Sequence, residues 1–167
     1  MKTPSRLIVP ILALVVIGNA QMAVAQTSAP VVLTAATAPA GVRPALAREE
    51  TALADPVREA LRTLPQAKKK FLAGLPDGDQ FLLSVRVAAS DTSFRQALAR
   101  VLGWRGNTVQ ALLLPADSAT PAEPTPVSFP ETAVVDWTLL RASGREEGNY
   151  VGHYTDTARQ MEGMRLR

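Results

Sequence analysis

A single histidine, His153, stands in a chain of 167 residues that has no cysteine. A general base or an imidazole metal ligand must therefore be His153, or the work falls to carboxylates. Glu146, Glu147 and Asp156 are its neighbours in sequence, a set suited to a hard cation or to a metal-assisted hydrolysis. Their spacing matches no known ligand loop, so a solvent-exposed histidine at a strand end is the simpler reading. Asp136 and His153 with Ser143 or Ser90 would complete a Ser-His-Asp hydrolase. No Gly-x-Ser-x-Gly turn presents either serine, and the chain has no Gly-rich phosphate loop. Without cysteine it lacks a thiolate nucleophile, a Cys-ligated zinc site, a disulfide and a lipid-modified N-terminal Cys. No cofactor and no metal is expected.

Binding chemistry has better material. Trp104, Trp137 and Tyr150 are aromatics of the kind that anchor contacts, and Asp136 adjoins one of them. Lined along one groove, Trp104, Asp136, Trp137 and Tyr150 would form a binding surface. The alternative places Trp137 in the core under a helix, with Asp136 on the other side of its strand accepting turn amides.

The elements that must position these residues follow an N-terminal address. Lys2 and Arg6 precede the apolar run Leu7 to Ile17, and Ala23-Val24-Ala25 offers small residues for cleavage before Gln26. Residues 1–25 thus read as a secretory signal peptide, too short and interrupted for the roughly 20 residues that span a bilayer. What remains suits one domain, in the periplasm or outside the cell. The signal holds two of the 18 basic residues against 15 acidic ones elsewhere, which leaves the mature chain nearly neutral. Nucleic acid is then not an expected partner, and another envelope protein is.

Residues 26–47, rich in Ala, Pro and Thr, read as a flexible spacer, with Val31 to Leu33 as a lesser candidate for an edge strand. A domain of residues 48–167 follows. From Pro44 to Leu75 apolar residues recur at three- and four-residue steps, predicting a long helix broken near Leu64 by Pro65 and, from Asp55-Pro56, well capped. Lys68, Lys69 and Lys70 read as its solvated face, or less simply as a contact for an acidic partner or lipid. From Gln80 the period becomes two, predicting a half-buried strand through Ala88. Phe94 to Leu102 fits a helix by its own spacing. Strands are expected at Thr108 to Leu114, Val127 to Phe129, Val134 to Leu140 and Asn149 to His153, the last three as a meander, with residues 116–126 as a loop. A short final helix capped by Thr155 or Asp156 would turn Ala158 and Met161 inward.

Val134-Val135-Asp136-Trp137, the turn Ser143-Gly144-Arg145 and then Gly148-Asn149-Tyr150 resemble the C-terminal signature of the bacterial family catalogued as domain of unknown function 2314. Upstream, Ala60 to Val87 and Val101-Leu102-Gly103-Trp104-Arg105-Gly106-Asn107 resemble its opening helix, strand and turn, so the similarity runs from about Asp55 to Tyr154. The resemblance implies strand rather than helix for Phe94 to Leu102, and brings no established activity. Where the family carries Glu-His-x-Trp-Val this chain has Arg95-Gln96-Ala97-Leu98-Ala99, so no acid-base or metal role carries over. Leu113-Leu114-Pro115 replaces an Asn-x-Pro, and Val151 and His153 replace a Thr and an Arg.

The sequence thus predicts an α+β domain, one long broken helix on an antiparallel sheet of four to five strands. Its expected function is a secreted, non-enzymatic binding or interaction module. A hydrolase built on His153, Asp136 and Glu147, and an immunity-like inhibitor of a partner protein, are the alternatives.

Overall fold

The computed structural model describes residues 30–116 and 123–165. The expected signal peptide and the start of the spacer lie outside the described residues. The architecture is α+β: a seven-stranded antiparallel sheet with three helices. The elements are β1 (Val32–Leu33), α1 (Arg43–Ala52), α2 (Ala54–Leu72), β2 (Gln80–Ala88), β3 (Phe94–Arg105), β4 (Thr108–Leu113), β5 (Thr125–Pro130), β6 (Val134–Leu140), β7 (Glu146–Gly148) and α3 (Tyr150–Arg165). The strand count exceeds the expected four to five because two short pieces, β1 and β7, extend the edges.

The single long helix is instead two. The chain breaks at Leu53, whose φ of −106° and ψ of 14° are not helical, and Leu53 is buried with Val57, Val135 and Val151. Pro65 does not break α2, which runs through it for 19 residues. Its ring lies on an exposed face, where the carbonyl it leaves unpaired can meet water. The spacer also departs from expectation, because Val32 and Leu33 pair with Val87 and Arg86. Leu33, Ala38 and Val42 are buried, so apolar content there outweighs the flanking Pro and Gly.

Strand order is β5-β4-β3-β2-β6-β7, with β1 on β2 beyond the end of β6. This replaces the expected meander: β5 joins β4 at one side and β6 joins β2 at the other. Only Glu131–Ala133, one turn of 3-10 helix, links β5 to β6. Four strand spacings of about 4.8 Å exceed what so short a link can reach in a flat sheet. The sheet therefore curls. On its inner face Phe81, Leu83, Val85, Val87, Ala97, Ala99, Val101, Val109, Ala111 and Leu113 meet Ala60, Leu64 and Ala67 of α2 in one core. Phe94 to Leu102 is strand despite its helical spacing, because Ala97, Ala99 and Val101 alternate into that core while β2 and β4 take up the backbone.

The alternate residues, Leu82, Ser84, Arg86, Gln96, Leu98 and Arg100, occupy the outer face. Only its far end is bridged by α1, where Glu49 accepts from Arg86 at 2.8 Å and from Gln96 at 3.2 Å.

Candidate functional site

Residues 149–153 are expected as a strand, but α3 begins at Tyr150, and the reason lies in two left-handed residues. Gly148 has φ 86° and Asn149 φ 57°. At Gly148 a Cβ would collide with the Trp137 carbonyl oxygen and indole ring, so glycine is required for space as well as conformation. Asn tolerates the left-handed region better than most residues. Together they turn the chain off β7, and the Asn149 carbonyl accepts the His153 amide at 3.0 Å to open the helix.

Asp136 holds that helix start. Its side chain is 1 % exposed, with one oxygen accepting the Trp137 amide at 2.8 Å and the other the Val151 amide at 2.7 Å. Burial pushes the Asp136 carboxyl above its ordinary value, while the Val151, Trp137 and Tyr150 amides and the charge of His153 pull the other way. The aspartate serves as a helix cap contributed by a neighbouring strand.

The aromatic groove is not formed. Trp104 and Trp137 are buried, Tyr150 is half-buried, and all three belong to one aromatic core. Phe81 stacks parallel to Trp137 at 6.1 Å, meets Trp104 edge-on at 6.3 Å and touches Phe71 at 5.5 Å, while Tyr150 meets Trp137 edge-on at 6.1 Å. Each indole N–H is satisfied inside: Trp137 donates to the Ala60 carbonyl at 3.1 Å and to Thr63 at 3.0 Å, and Trp104 donates to Glu131 at 3.2 Å. The groove fails because inward strand positions carry both indoles beneath α2, and the α3 start sets Tyr150 against Trp137.

The candidate catalytic residues occupy separate surroundings. His153 is exposed on α3. Glu146 accepts from Asn149 at 2.9 Å, and Asp156 pairs with Arg159 at 3.4 Å on the surface. Glu147 is engaged by Lys70 at 2.7 Å and Arg141 at 2.5 Å, which hold its carboxyl down to about 2. Asp79 sits below its ordinary value because it accepts the Ala142 amide and the Arg141 guanidinium. Ser90 bonds Ser93 at 2.6 Å, and Ser143 lies in an exposed turn. Among the described residues no three His, Asp or Glu side chains gather as a metal site.

The lysine run is likewise structural in part. Lys68 reaches Glu131 at 2.6 Å and the Gly106 carbonyl at 2.8 Å, with its ammonium 4.7 Å from the Trp104 ring centre. Lys70 meets Glu147, so two of the three lysines tie α2 to the sheet.

A cleft that no sequence motif marks, of about 380 Å³, opens at the outer face. It is lined by Ser84, Gln96 and Leu98 from the sheet, by Asn149, Val151, Gly152 and Thr155 from the α3 start, and by Leu114 to Ala116. Nearby, Leu98 is 43 % and Leu102 60 % exposed. Leu102 is carried outward by a bulge between Val101 and Gly103. The alternation of Leu82, Ser84 and Arg86 was the available signal, but the helical spacing of Phe94 to Leu102 hid its partner strand. Comparison of the chain with protein-family models, with curated proteins and with solved structures gives no match.

Proposed function

We propose that this protein is a non-enzymatic binding module of the bacterial cell envelope, exported on the signal peptide of residues 1–25. On this reading it belongs with the family catalogued as domain of unknown function 2314, by virtue of Asp136-Trp137 and Gly148-Asn149-Tyr150. The observation that carries the module reading is the outer face: a cleft of about 380 Å³ with exposed Leu98 in its wall, and exposed Leu102 farther along β3. Apolar clefts with a few polar groups in their walls are the usual form of a recognition site. Asp136, Trp137 and Tyr150 then act by holding α3, one wall of that cleft, in place.

The test compares the wild-type chain with a Leu98→Glu/Leu102→Glu double variant as bait in the periplasmic fraction. A discrete partner retained by the first and lost by the second, with circular dichroism unchanged, supports the module. Identical capture by both removes it. A single tight protein partner would favour the inhibitor form of the module. Mass spectrometry of the exported protein reads the address, with Gln26 expected at its N-terminus.

A further inference from the structure

Most outward strand edges of this sheet are blunted. β5 contains Pro126 and Pro130, which offer no amide hydrogen. β7 has three residues and β1 two, too few to template another strand. The half of β6 that β7 does not reach lies against α3, held through Asp136 and the Val151 amide.

The first half of β3 is different. β3 has 12 residues against six in β4, and their ladder begins only at the Ala99–Leu113 pair. The last bond on this flank runs from the Leu114 amide to the Leu98 carbonyl at 2.8 Å. In an antiparallel strand the N–H and C=O of one residue point to the same side, and alternate residues repeat it. The Leu98 bond therefore fixes the direction of Gln96 and Phe94: their backbone groups face away from β2. Ala116, whose amide is next to face β3 by the same alternation, makes no backbone bond to it. Among the described residues no backbone bond reaches Gln96 or Phe94 from that side.

Neither proline nor lysine interrupts Phe94 to Leu98. Arg95, the one charge in the segment, alternates with Ala97 and Ala99 toward the inner face and leaves the outer side of the edge uncharged. The cleft opens beside this edge, with Leu98, Leu114 and Val151 as apolar walls and Ser84, Gln96 and Thr155 as polar ones.

We propose that an extended segment of a partner polypeptide adds to the sheet along Phe94 to Leu98 and sets one apolar side chain into the cleft. This rests on the module reading above and gives its partner a form: a proline-free strand with alternating apolar residues. Main-chain bonds to Gln96 and Phe94 supply affinity, and the cleft supplies selectivity.

The probe is an acetylated, amidated hexapeptide, Thr-Val-Gln-Ala-Leu-Leu, a copy of β4, the sequence that already pairs with β3. Hydrogen exchange at the Gln96 amide is followed by NMR in the labelled full chain. With peptide at about ten times its dissociation constant, exchange at Gln96 slows roughly tenfold, while Arg95, already in the β2 ladder, is unchanged. A peptide N-methylated at the positions facing β3 has no effect, and in Gln96→Pro, a change that an outward N–H permits, the unmodified peptide leaves exchange at the Phe94 amide unchanged, whereas in the wild type that amide slows with Gln96. No protection of Gln96 up to the solubility limit of the peptide overturns the proposal, as does equal protection by the methylated peptide. Protection that grows with protein concentration alone also overturns it, since a second copy then fills the edge. If Leu98→Glu/Leu102→Glu abolishes partner capture but the peptide protects nothing, strand addition fails and the module survives. Protection by the peptide with capture indifferent to those leucines has the opposite meaning.

Discussion

At the scale of single residues, Gly148 carries the strictest requirement. Its φ of 86° and its closeness to the Trp137 backbone and ring predict that Gly148→Ala costs about 2–4 kcal/mol in urea unfolding. Gly74, with φ 94° and open space where a Cβ would stand, is the control: Gly74→Ala costs only the conformational penalty, about 1–2 kcal/mol. Asp136 predicts a pH effect of definite sign. Burial raises its carboxyl above the ordinary 3.8, so between the two values the folded chain binds more protons than the unfolded one. Stability from this group then falls as pH rises through that window and recovers in acid. Glu147, held at about 2 against an ordinary 4.5, acts oppositely, its contribution present above 4.5 and lost as pH falls toward 2. Urea midpoints between about pH 2 and 7 should show both limbs in the wild type. Asp136→Asn should remove only the first limb.

At the scale of elements, Pro65 sits in the interior of α2 without ending it, at the expense of one helical hydrogen bond. Pro65→Ala should raise stability by about 1–3 kcal/mol, read as a higher melting temperature. In α3 only Val151 is buried, and every described residue beyond Thr155 is exposed. Truncation after Thr155 is therefore expected to cost less than about 0.5 kcal/mol, whereas removal of Tyr150 and Val151 would uncover Trp137 and Asp136. Elements whose period matched their burial were legible in the sequence. Phe81, Leu83, Val85 and Val87 marked β2, and α2 starts at Ala54, next to Asp55-Pro56, although Asp55 lies inside its first turn and pairs with Arg58 instead of capping it. β3 was not legible from spacing, since Phe94, Ala97, Leu98, Val101 and Leu102 satisfy a helical period although Ala97 and Val101 face the core and Leu98 and Leu102 the outside. The final helix begins at Tyr150, ahead of the expected caps Thr155 and Asp156, because Asp136 on β6 accepts the Val151 amide.

At the scale of the whole molecule, what the sequence withheld was pairing. Nothing local in Thr125–Pro130 says that it joins β4 rather than β6, or that Glu131–Ala133 must carry the chain across a curled sheet. The candidate site suffered for the same reason. Trp104, Asp136, Trp137 and Tyr150 are expected along one groove, but both tryptophans are buried, Tyr150 packs half-buried against Trp137, and Asp136 caps α3. The outer cleft needs β2, β3 and α3 assembled before it exists at all.

The two buried indoles have a practical consequence. Trp104 lies under the Lys68 ammonium, whereas Trp137 lies face to face with Phe81 and near Tyr150. Their emission therefore samples opposite flanks of one core. Trp104→Phe and Trp137→Phe leave one intrinsic indole fluorophore each, so coincident melting curves from the two would identify a single cooperative unit. A lower midpoint from Trp137, the indole left in Trp104→Phe, would mark the α3 flank as the first to open.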